Sequence, residues 1–260
     1  FPTYQVMMDR KAVIDLGTNT CNLLIAESFT GGFFKVLYDR KLPVKLGRGG
    51  IHKKILLPDA IERGITAFEN HLATIKKYNV EDIKVIATSA IRGATNRSEF
   101  ILKIKQKFGL DIEIIDGSRE AELIFKGVSI SLPTAIGLYL LVDIGGGSIE
   151  FVLAENKRII WKKSFNIGIA RVLELFKLSD PVFPEESAGI ELWFSENLNE
   201  LWEICNKYQP SVLVGSSGAF DTFMDIYEKE EPDLKIRQAS ELPTEAFHTI
   251  HDLLIKSDSE

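Results

Sequence analysis

Residues 140–155 read Leu140-Leu-Val-Asp143-Ile-Gly145-Gly-Gly147-Ser148-Ile-Glu150-Phe-Val-Leu-Ala-Glu155. An apolar run ends at Asp143, three glycines follow, and alternation resumes with Ile149, Phe151 and Leu153 against Glu150 and Val152. This pattern predicts a buried strand, a tight turn and a returning strand. Without Cβ atoms, Gly145, Gly146 and Gly147 are free to reach φ > 0 and to let their N–H groups converge on an anion. Ser148 adds a hydroxyl at the mouth. Asp143 and Glu150 are hard oxygen ligands of the kind that hold a Mg²⁺ ion bridged to phosphate through water. Taken alone, the stretch is equally consistent with an ordinary Gly-rich hairpin carrying an exposed Asp.

A second copy of the pattern changes that balance. Asp15-Leu-Gly-Thr18-Asn19-Thr20-Cys-Asn-Leu-Leu-Ile-Ala-Glu27 aligns with residues 143–155 at an offset of 128, sharing the Asp, the first Gly, a hydroxyl residue and the final Ala-Glu. Thr18 and Asn19 thereby become candidate phosphate contacts. A further pair recurs at nearly the same separation, Val85-Ile-Ala-Thr-Ser-Ala90 and Val212-Leu-Val-Gly-Ser-Ser217. Two features repeated in the same order predict a duplicated α/β unit. The expectation is two domains, 1–130 and 131–260, facing each other across a cleft.

The chain has 260 residues, 45% hydrophobic and 26% charged, enough for two domains of ordinary size. Its net charge of −6 argues against a general nucleic-acid binder, which carries a broad basic surface. A polyanionic partner must then be met by local positive charge. Cys21 and Cys205 form neither a CxxC pair nor a Cys/His cluster, so reduced thiols in a cytoplasm are expected. The stretch from Phe1 to Asp9 lacks the pattern of a leader, and no run approaches the ~18 apolar residues of a spanning helix. A soluble protein without membrane contact is the expectation.

Along the first repeat, strands are expected at residues 12–16, 22–26 and, after Gly31 and Gly32, 33–40. Arg40, Lys41, Lys45, Arg48, Lys53 and Lys54 fall in one stretch without an acid, around the loop Gly47-Arg48-Gly49-Gly50. They read either as a solvated loop or as a basic rim that attracts an anionic substrate. Pro58 opens a helix with Ile61, Ile65, Phe68, Leu72 and Ile75 on one stripe. Asn96 with Glu99 predicts a capping box for the next helix. Arg92 lies between a strand end and that helix, where open α/β sheets place ligands, and is a candidate phosphate clamp. A strand at 111–115 leads into a helix from about Arg119, with Glu120 in its first turn. The dipole favours negative charge there, as a base or water-orienting group requires.

The interruptions at Pro133, Thr134 and Gly137 place the domain boundary between Gly127 and Leu138. In the second repeat, residues 159–165 read as a strand and Asn166-Ile-Gly-Ile-Ala-Arg171 as the entry to a short helix. Pro184 starts one long helix with Ala188, Leu192, Ser195, Leu198, Leu201 and Cys205 along a side. Gly215 and Ser216 belong to a second small-residue loop ahead of a helix, another candidate anion site.

These motifs, namely Asp15-Leu-Gly-Thr-Asn19, Ala87-Thr-Ser-Ala-Ile-Arg92, Gly117-Ser-Arg-Glu-Ala121 with Phe125-Lys-Gly127, Asp143-Ile-Gly-Gly-Gly-Ser-Ile-Glu150 and Gly215-Ser-Ser-Gly218, run through nearly the whole chain. Together they resemble the exopolyphosphatase and guanosine pentaphosphate phosphohydrolase (Ppx/GppA) family. The resemblance implies two ribonuclease-H-like domains of the actin, sugar-kinase and heat-shock ATPase superfamily. It also implies Mg²⁺-dependent release of terminal phosphate from polyphosphate, or of the 5′ γ-phosphate from pppGpp. By the same resemblance Glu120 matches the catalytic Glu that orients or deprotonates water. Asp143 and Glu150 match acids around the metal, residues 145–148 the phosphate loop, and Arg92 a phosphate-contacting Arg. The sequence departs from the family in having Arg119 where a first acid is usual. Compared with the family, the second domain is expected to be incomplete at its C-terminus. Dimerisation is left open.

No Gly-Lys-Ser/Thr segment of a P-loop ATPase is present. A kinase of the same superfold, or a non-enzymatic sensor of guanosine polyphosphates, remain alternatives to the hydrolase.

Overall fold

The computed structural model describes residues 9–29, 33–133, 136–229 and 239–258. The turn expected at Gly31 and Gly32, the first eight residues and Thr134 lie outside them. Among the described residues the chain forms nine strands and nine helices, and it divides into two compact units, Phe1–Asp116 and Gly117–Glu260.

The first unit contains β1 (Asp9–Leu16), β2 (Thr20–Ser28), β3 (Phe34–Pro43), α1 (Pro58–Lys77), β4 (Asp82–Ala87), α2 (Ser89–Gly93), α3 (Arg97–Phe108) and β5 (Ile112–Ile114). Its mixed sheet has the order β3-β2-β1-β4-β5, with β1 antiparallel to β2 and parallel to β4. The period of two puts Ala12, Ile14 and Leu16 of β1 and Cys21, Leu23 and Ile25 of β2 on one buried face. Onto that core α1 lays the expected stripe of Ile61, Ile65, Phe68 and Ile75, widened by Ala60, Gly64, Ala67 and His71. Phe68 meets Phe100 edge-on at 6.3 Å and stacks on Phe108 at 6.2 Å. Asn96 does not form the expected capping box. Its side-chain oxygen accepts from the Leu56 N–H at 2.8 Å and its amide donates to the Leu56 carbonyl at 2.9 Å, so it pins a distant loop instead.

The second unit contains α4 (Gly117–Ser131), β6 (Leu138–Ile144), β7 (Ile149–Glu155), β8 (Arg158–Phe165), α5 (Ile169–Leu175), α6 (Pro184–Asn197), α7 (Asn199–Tyr208), β9 (Val212–Ser216), α8 (Gly218–Glu228) and α9 (Thr244–Lys256). Its sheet runs β8-β7-β6-β9, again with the first pair antiparallel and β6 parallel to β9. That repeats the β3-β2-β1-β4 order of the first unit, as the duplication requires. The boundary falls at Asp116/Gly117, ahead of the expected 127–138 region. The reason is α4: its Ala121 and Phe125 pack with Tyr139, Leu141, Val152 and Ala154 of the second sheet.

Two further expectations change. β7 reads as an alternating strand, Ile149, Phe151 and Leu153 against Glu150 and Val152, but it is buried on both faces: Ile149, Phe151 and Leu153 face one cluster, Val152 and Ala154 the α4 cluster. The long helix from Pro184 is two helices. Leu198, at φ −108°, breaks the path between α6 and α7 and is itself drawn into the core, while Leu192 stays exposed. Asn197 and Asn199 turn their amides onto the Trp193 and Glu196 carbonyls around that break. Trp161 and Lys163 of β8 both reach Glu200, fixing α7 to the sheet. Among the described residues no helix is long and apolar enough to cross a membrane.

The tightness of the first core gives a stability test. A Cβ at Gly64 would lie 2.7 Å from Cε2 of the fully buried Phe100. Ala gains about 1 kcal/mol of helix propensity over Gly. Overpacking costs about 1–3 kcal/mol. Gly64→Ala is therefore expected to destabilise the first unit by up to about 2 kcal/mol. A lower urea midpoint for the transition seen by far-UV circular dichroism is the readout, since all three Trp residues lie in the second unit.

Candidate active site

The glycine turn is built by one hydrogen bond. Gly145 N–H donates to the Ser148 carbonyl at 3.0 Å, closing the reversal between β6 and β7. The first repeat does the same: Gly17 N–H donates to the Thr20 carbonyl at 2.9 Å. In each case a Cβ on the glycine would sit 2.9 or 3.1 Å from that carbonyl oxygen. Close approach of backbone, and not a left-handed φ, is what requires Gly at these two positions.

Strand alternation decides which side chains meet near the turn. Asp143 and Glu150 are register partners, and Glu150 pairs in turn with Ser164 of β8. Directly opposed residues share a face, so Asp143, Glu150 and Ser164 all point to the side of the sheet that carries Tyr139, Leu141 and Val152, the side covered by α4. Glu120 is in the first turn of α4, near enough for its charge to act on Glu150. Glu150 is only 2% exposed and Ser148 likewise. The Ser164 hydroxyl donates to Glu150 Oε1 at 2.6 Å. Burial first, and the charge of Glu120 second, push the Glu150 carboxyl up to about 7; the Ser164 and Ser148 hydroxyls oppose the rise and Asp143 adds to it. Ser216 is the register partner of Asp143 on its other side, in β9.

Arg119, the departure noted in the sequence, pairs with Glu122 at 3.0 Å, and Lys126 and Lys162 converge on the same carboxylate at 2.6 and 3.7 Å. The Lys126 and Arg119 hydrogen bonds bring the Glu122 carboxyl down to about 2. Gly215 is needed for packing: a Cβ there would fall 2.1 Å from the Phe220 ring.

The remaining expected residues belong to the first unit. Thr18 is 4% exposed, its carbonyl accepts from Gly47 N–H, and the Asn19 carbonyl accepts from the N–H groups of Val44 and Lys45. Arg48 is exposed on the same loop. Arg63 of α1 braces that loop by donating to the Val44 and Lys45 carbonyls. Arg92 sits in the short α2, not in a loop, and its Nη1 donates to the Ile115 carbonyl at 3.0 Å. The buried oxygens Thr18 Oγ1, Asn22 Oδ1 and Ser89 Oγ have no partner among the described residues, which marks the mouth of this turn as polar and unsatisfied.

Sequence reasoning missed Ser164 and Ser217. The signal for Ser164 is the polar pair Lys162 and Ser164 alternating on β8 opposite Val152 and Glu150. Ser217 has φ 80°, costly for a residue with a Cβ, and its hydroxyl donates to the Ile144 carbonyl at 3.0 Å, joining the Gly215 loop to the glycine turn. Nothing in its residue type announces that conformation.

Among the described residues no three His, Cys, Asp or Glu side chains gather closely enough to hold a metal by themselves. A pair of opposed carboxylates does suit an ion that completes its shell with water and phosphate oxygens.

A model of the Ppx/GppA phosphatase family matches residues 24–259. The chain belongs to this family. It is 37% identical over 231 residues to a bifunctional 3-dehydroquinate synthase/phosphatase of Fusobacterium nucleatum, covering 85% of this chain and 34% of that protein. It is 35% identical over 224 residues to a guanosine-5′-triphosphate,3′-diphosphate pyrophosphatase of Pseudoalteromonas translucida, covering 84% of this chain and 43% of that protein. The crystal structure of an exopolyphosphatase from Cytophaga hutchinsonii superposes with a TM-score of 0.88 at 34% identity, over 96% of this chain and 81% of that one. The chain thus spans about a third of the first relative and less than half of the second.

The buried carboxylate gives a pH test. The ordinary Glu value is 4.5 and the folded-state value is about 7, so the folded protein holds this proton more tightly than the unfolded chain. Its stabilising effect is complete below pH 4.5 and is lost as pH rises through about 7. Gln keeps the acceptor for Ser164 without the charge. In buffer free of divalent cations, Glu150→Gln is expected to be more stable than wild type at pH 8, by on the order of 1–3 kcal/mol, and close to it at pH 4.5. Urea midpoints at the two pH values decide; an equal difference at both removes the charged carboxylate as the cause.

Proposed function

We propose that this chain is a phosphohydrolase that cleaves the terminal phosphoanhydride of a small polyanion, either inorganic polyphosphate or pppGpp. The observation that carries the reading is the concentration of acids at one glycine turn: Glu120 and Asp143 both act on the buried Glu150 beside residues 145–148. The family relatives named for pppGpp and polyphosphate chemistry support the substrate class.

Hydrolysis joins a water oxygen to the terminal phosphorus and breaks that phosphorus's bond to the bridging oxygen; orthophosphate and the shortened chain leave. The protein must neutralise charge, hold the phosphoryl group and aim the water. Backbone N–H groups of the glycine turn and of Ser148 bind phosphate oxygens. Glu120, at the start of α4, accepts the proton of the attacking water or orients it. Asp143 and Glu150 would hold a Mg²⁺ ion, which supplies positive charge to the phosphate oxygens when bound. The fit rests on a contrast between the repeats. Asp15 accepts from the Asn22 amide at 3.1 Å, an acid met by a donor, whereas at the equivalent positions Asp143 faces a second carboxylate, Glu150. The basic loop that carries Lys45 and Arg48 attracts the polyanion from solution.

Phosphate release from tripolyphosphate, long-chain polyphosphate and pppGpp, compared at matched Mg²⁺, tests the reading, and turnover of none of them refutes it. Within an active protein, Glu120→Gln is expected to lower kcat by roughly 10²–10⁴-fold with little change in KM, because proton acceptance belongs to the transition state. Retention of full kcat would remove Glu120 from the mechanism. Asp143→Ala is expected to raise the Mg²⁺ concentration needed for half-maximal rate while leaving the circular dichroism spectrum intact. An unchanged Mg²⁺ requirement would assign the ion elsewhere.

A further inference from the structure

Behind the glycine turn, the segment entering α5 meets three successive carbonyls. Ile169 N–H donates to the Gly145 carbonyl at 3.1 Å, Ala170 N–H to that of Gly146 at 2.7 Å, and Arg171 Nε to that of Gly147 at 2.7 Å. The approach is so close that a Cβ on Gly168 would lie 2.6 Å from the Gly146 carbonyl carbon and oxygen and from the Gly147 nitrogen. In a planar trans peptide the C=O and the following N–H point in opposite directions. Turning the carbonyls of Gly145, Gly146 and Gly147 toward α5 therefore turns the N–H groups of Gly146, Gly147 and Ser148 away from it. Among the described residues the N–H groups of Gly146 and Gly147 donate to no backbone carbonyl. A run of outward N–H groups of this kind is an anion-binding concavity.

We propose that Gly168 and Arg171 are positioning residues that clamp the glycine turn from behind and so fix its amides toward a phosphate. The proposal rests on the phosphohydrolase reading for the identity of the anion and goes beyond it in assigning the work to a segment outside the turn. The first repeat shows that such support is a general need of the turn. There the carbonyls of Thr18 and Asn19 are held by the N–H groups of Gly47, Val44 and Lys45, from a different segment of chain. In the second repeat one of the three donors is a side chain, and this makes the clamp open to substitution. Three glycines have wide backbone freedom, and an unclamped peptide in the turn is free to flip. Anion affinity then falls by the fraction of time the amides face the wrong way.

The test uses the full chain and two readouts. Tripolyphosphate with Mg²⁺ is titrated into ¹⁵N-labelled protein while the amide resonances of Gly146, Gly147 and Ser148 are followed, and hydrolysis is measured in parallel. In wild type these amides are expected to shift on titration. Arg171→Met is expected to weaken tripolyphosphate binding about tenfold and to raise KM more than it lowers kcat, with the melting temperature within a few degrees of wild type. Arg171→Lys, which keeps a donor, should recover part of the loss. Gly168→Ala, which pushes directly on the Gly146–Gly147 peptide, should cost more than Arg171→Met. Shifts in wild type without hydrolysis would leave the clamp standing and remove the phosphohydrolase. Hydrolysis without shifts of these amides would remove the clamp alone. Wild-type affinity in both Arg171→Met and Gly168→Ala, or a loss in Arg171→Met seen only in melting temperature, would overturn it as well.

Discussion

Strand alternation puts a carboxylate where water does not reach, and much of the second unit follows from that constraint. β7 is covered on both faces, so a polar residue at any of its central positions is buried whichever way it points. Glu150 points to the α4 side, with Val152 and Ala154. The same period brings Asp143 from β6 and Ser164 from β8 onto that side, because opposed residues in antiparallel ladders share a face. Helix α4 closes over them through Ala121 and Phe125, and its first turn delivers Glu120. The apolar packing of one helix and the placement of three acids are thus a single arrangement. Moving α4 to uncover Glu150 would also uncover Tyr139 and Leu141.

The two repeats keep the turn and change what surrounds it. Gly17 and Gly145 close the same hydrogen bond with the residue three further on, and each has the same steric reason to be Gly. The position seven residues after the Asp has diverged: Asn22 donates to Asp15, while Glu150 takes its hydrogen bond from Ser164 and repels Asp143. The supports have diverged as well. A basic loop braced by Arg63 holds the first turn, and the start of α5 holds the second. A turn that needs its carbonyls held can be served by any segment that brings donors close. Sequence similarity therefore persists in the turn and fades in its props.

Much of the fold was legible because its signals are local. The stripe of α1, the paired strands of the first repeat, the glycine turns and the family motifs all declare themselves within windows of ten to twenty residues. What was misread depends on partners distant in sequence. Glu150 stands in an alternating pattern, and nothing within β7 tells that α4 covers the face it points to. Asn96 has the residue type and spacing of a capping box, yet Leu56 competes for its amide. The boundary was placed after α4 because Pro133 and Gly137 mark a break in the chain, whereas a unit is defined by packing, and Phe125 packs forward. One helix was read from Pro184 because apolar residues continue past Leu198, and only the core that draws Leu198 inward breaks it. For the site, residue type was enough to nominate Glu120, Asp143 and Glu150, but their mutual influence on one face needed the register.

The placement of positive charge bears on the surroundings of Glu150. Cations are present on the same face: Arg119 and Lys126 of α4 and Lys162 of β8, the last only two residues from Ser164. All three converge on Glu122, whose carboxyl is brought down to about 2. Arg119 and Lys126 are exposed and Glu122 and Lys162 half-buried, so solvent screens the cluster and it adds little to stability. Its effect is to engage the nearby cations away from Glu150. Among the influences acting on Glu150, burial and two neighbouring acids raise its carboxyl, two hydroxyls lower it, and no cation takes part. A buried carboxylate among acids is relieved either by taking up a proton or by a positive charge from outside the chain. The three cations are directed to Glu122, and burial rather than a cation sets the state of Glu150. On the phosphohydrolase proposal, a bound ion would relieve the same buried carboxylate that the folded chain by itself neutralises with a proton.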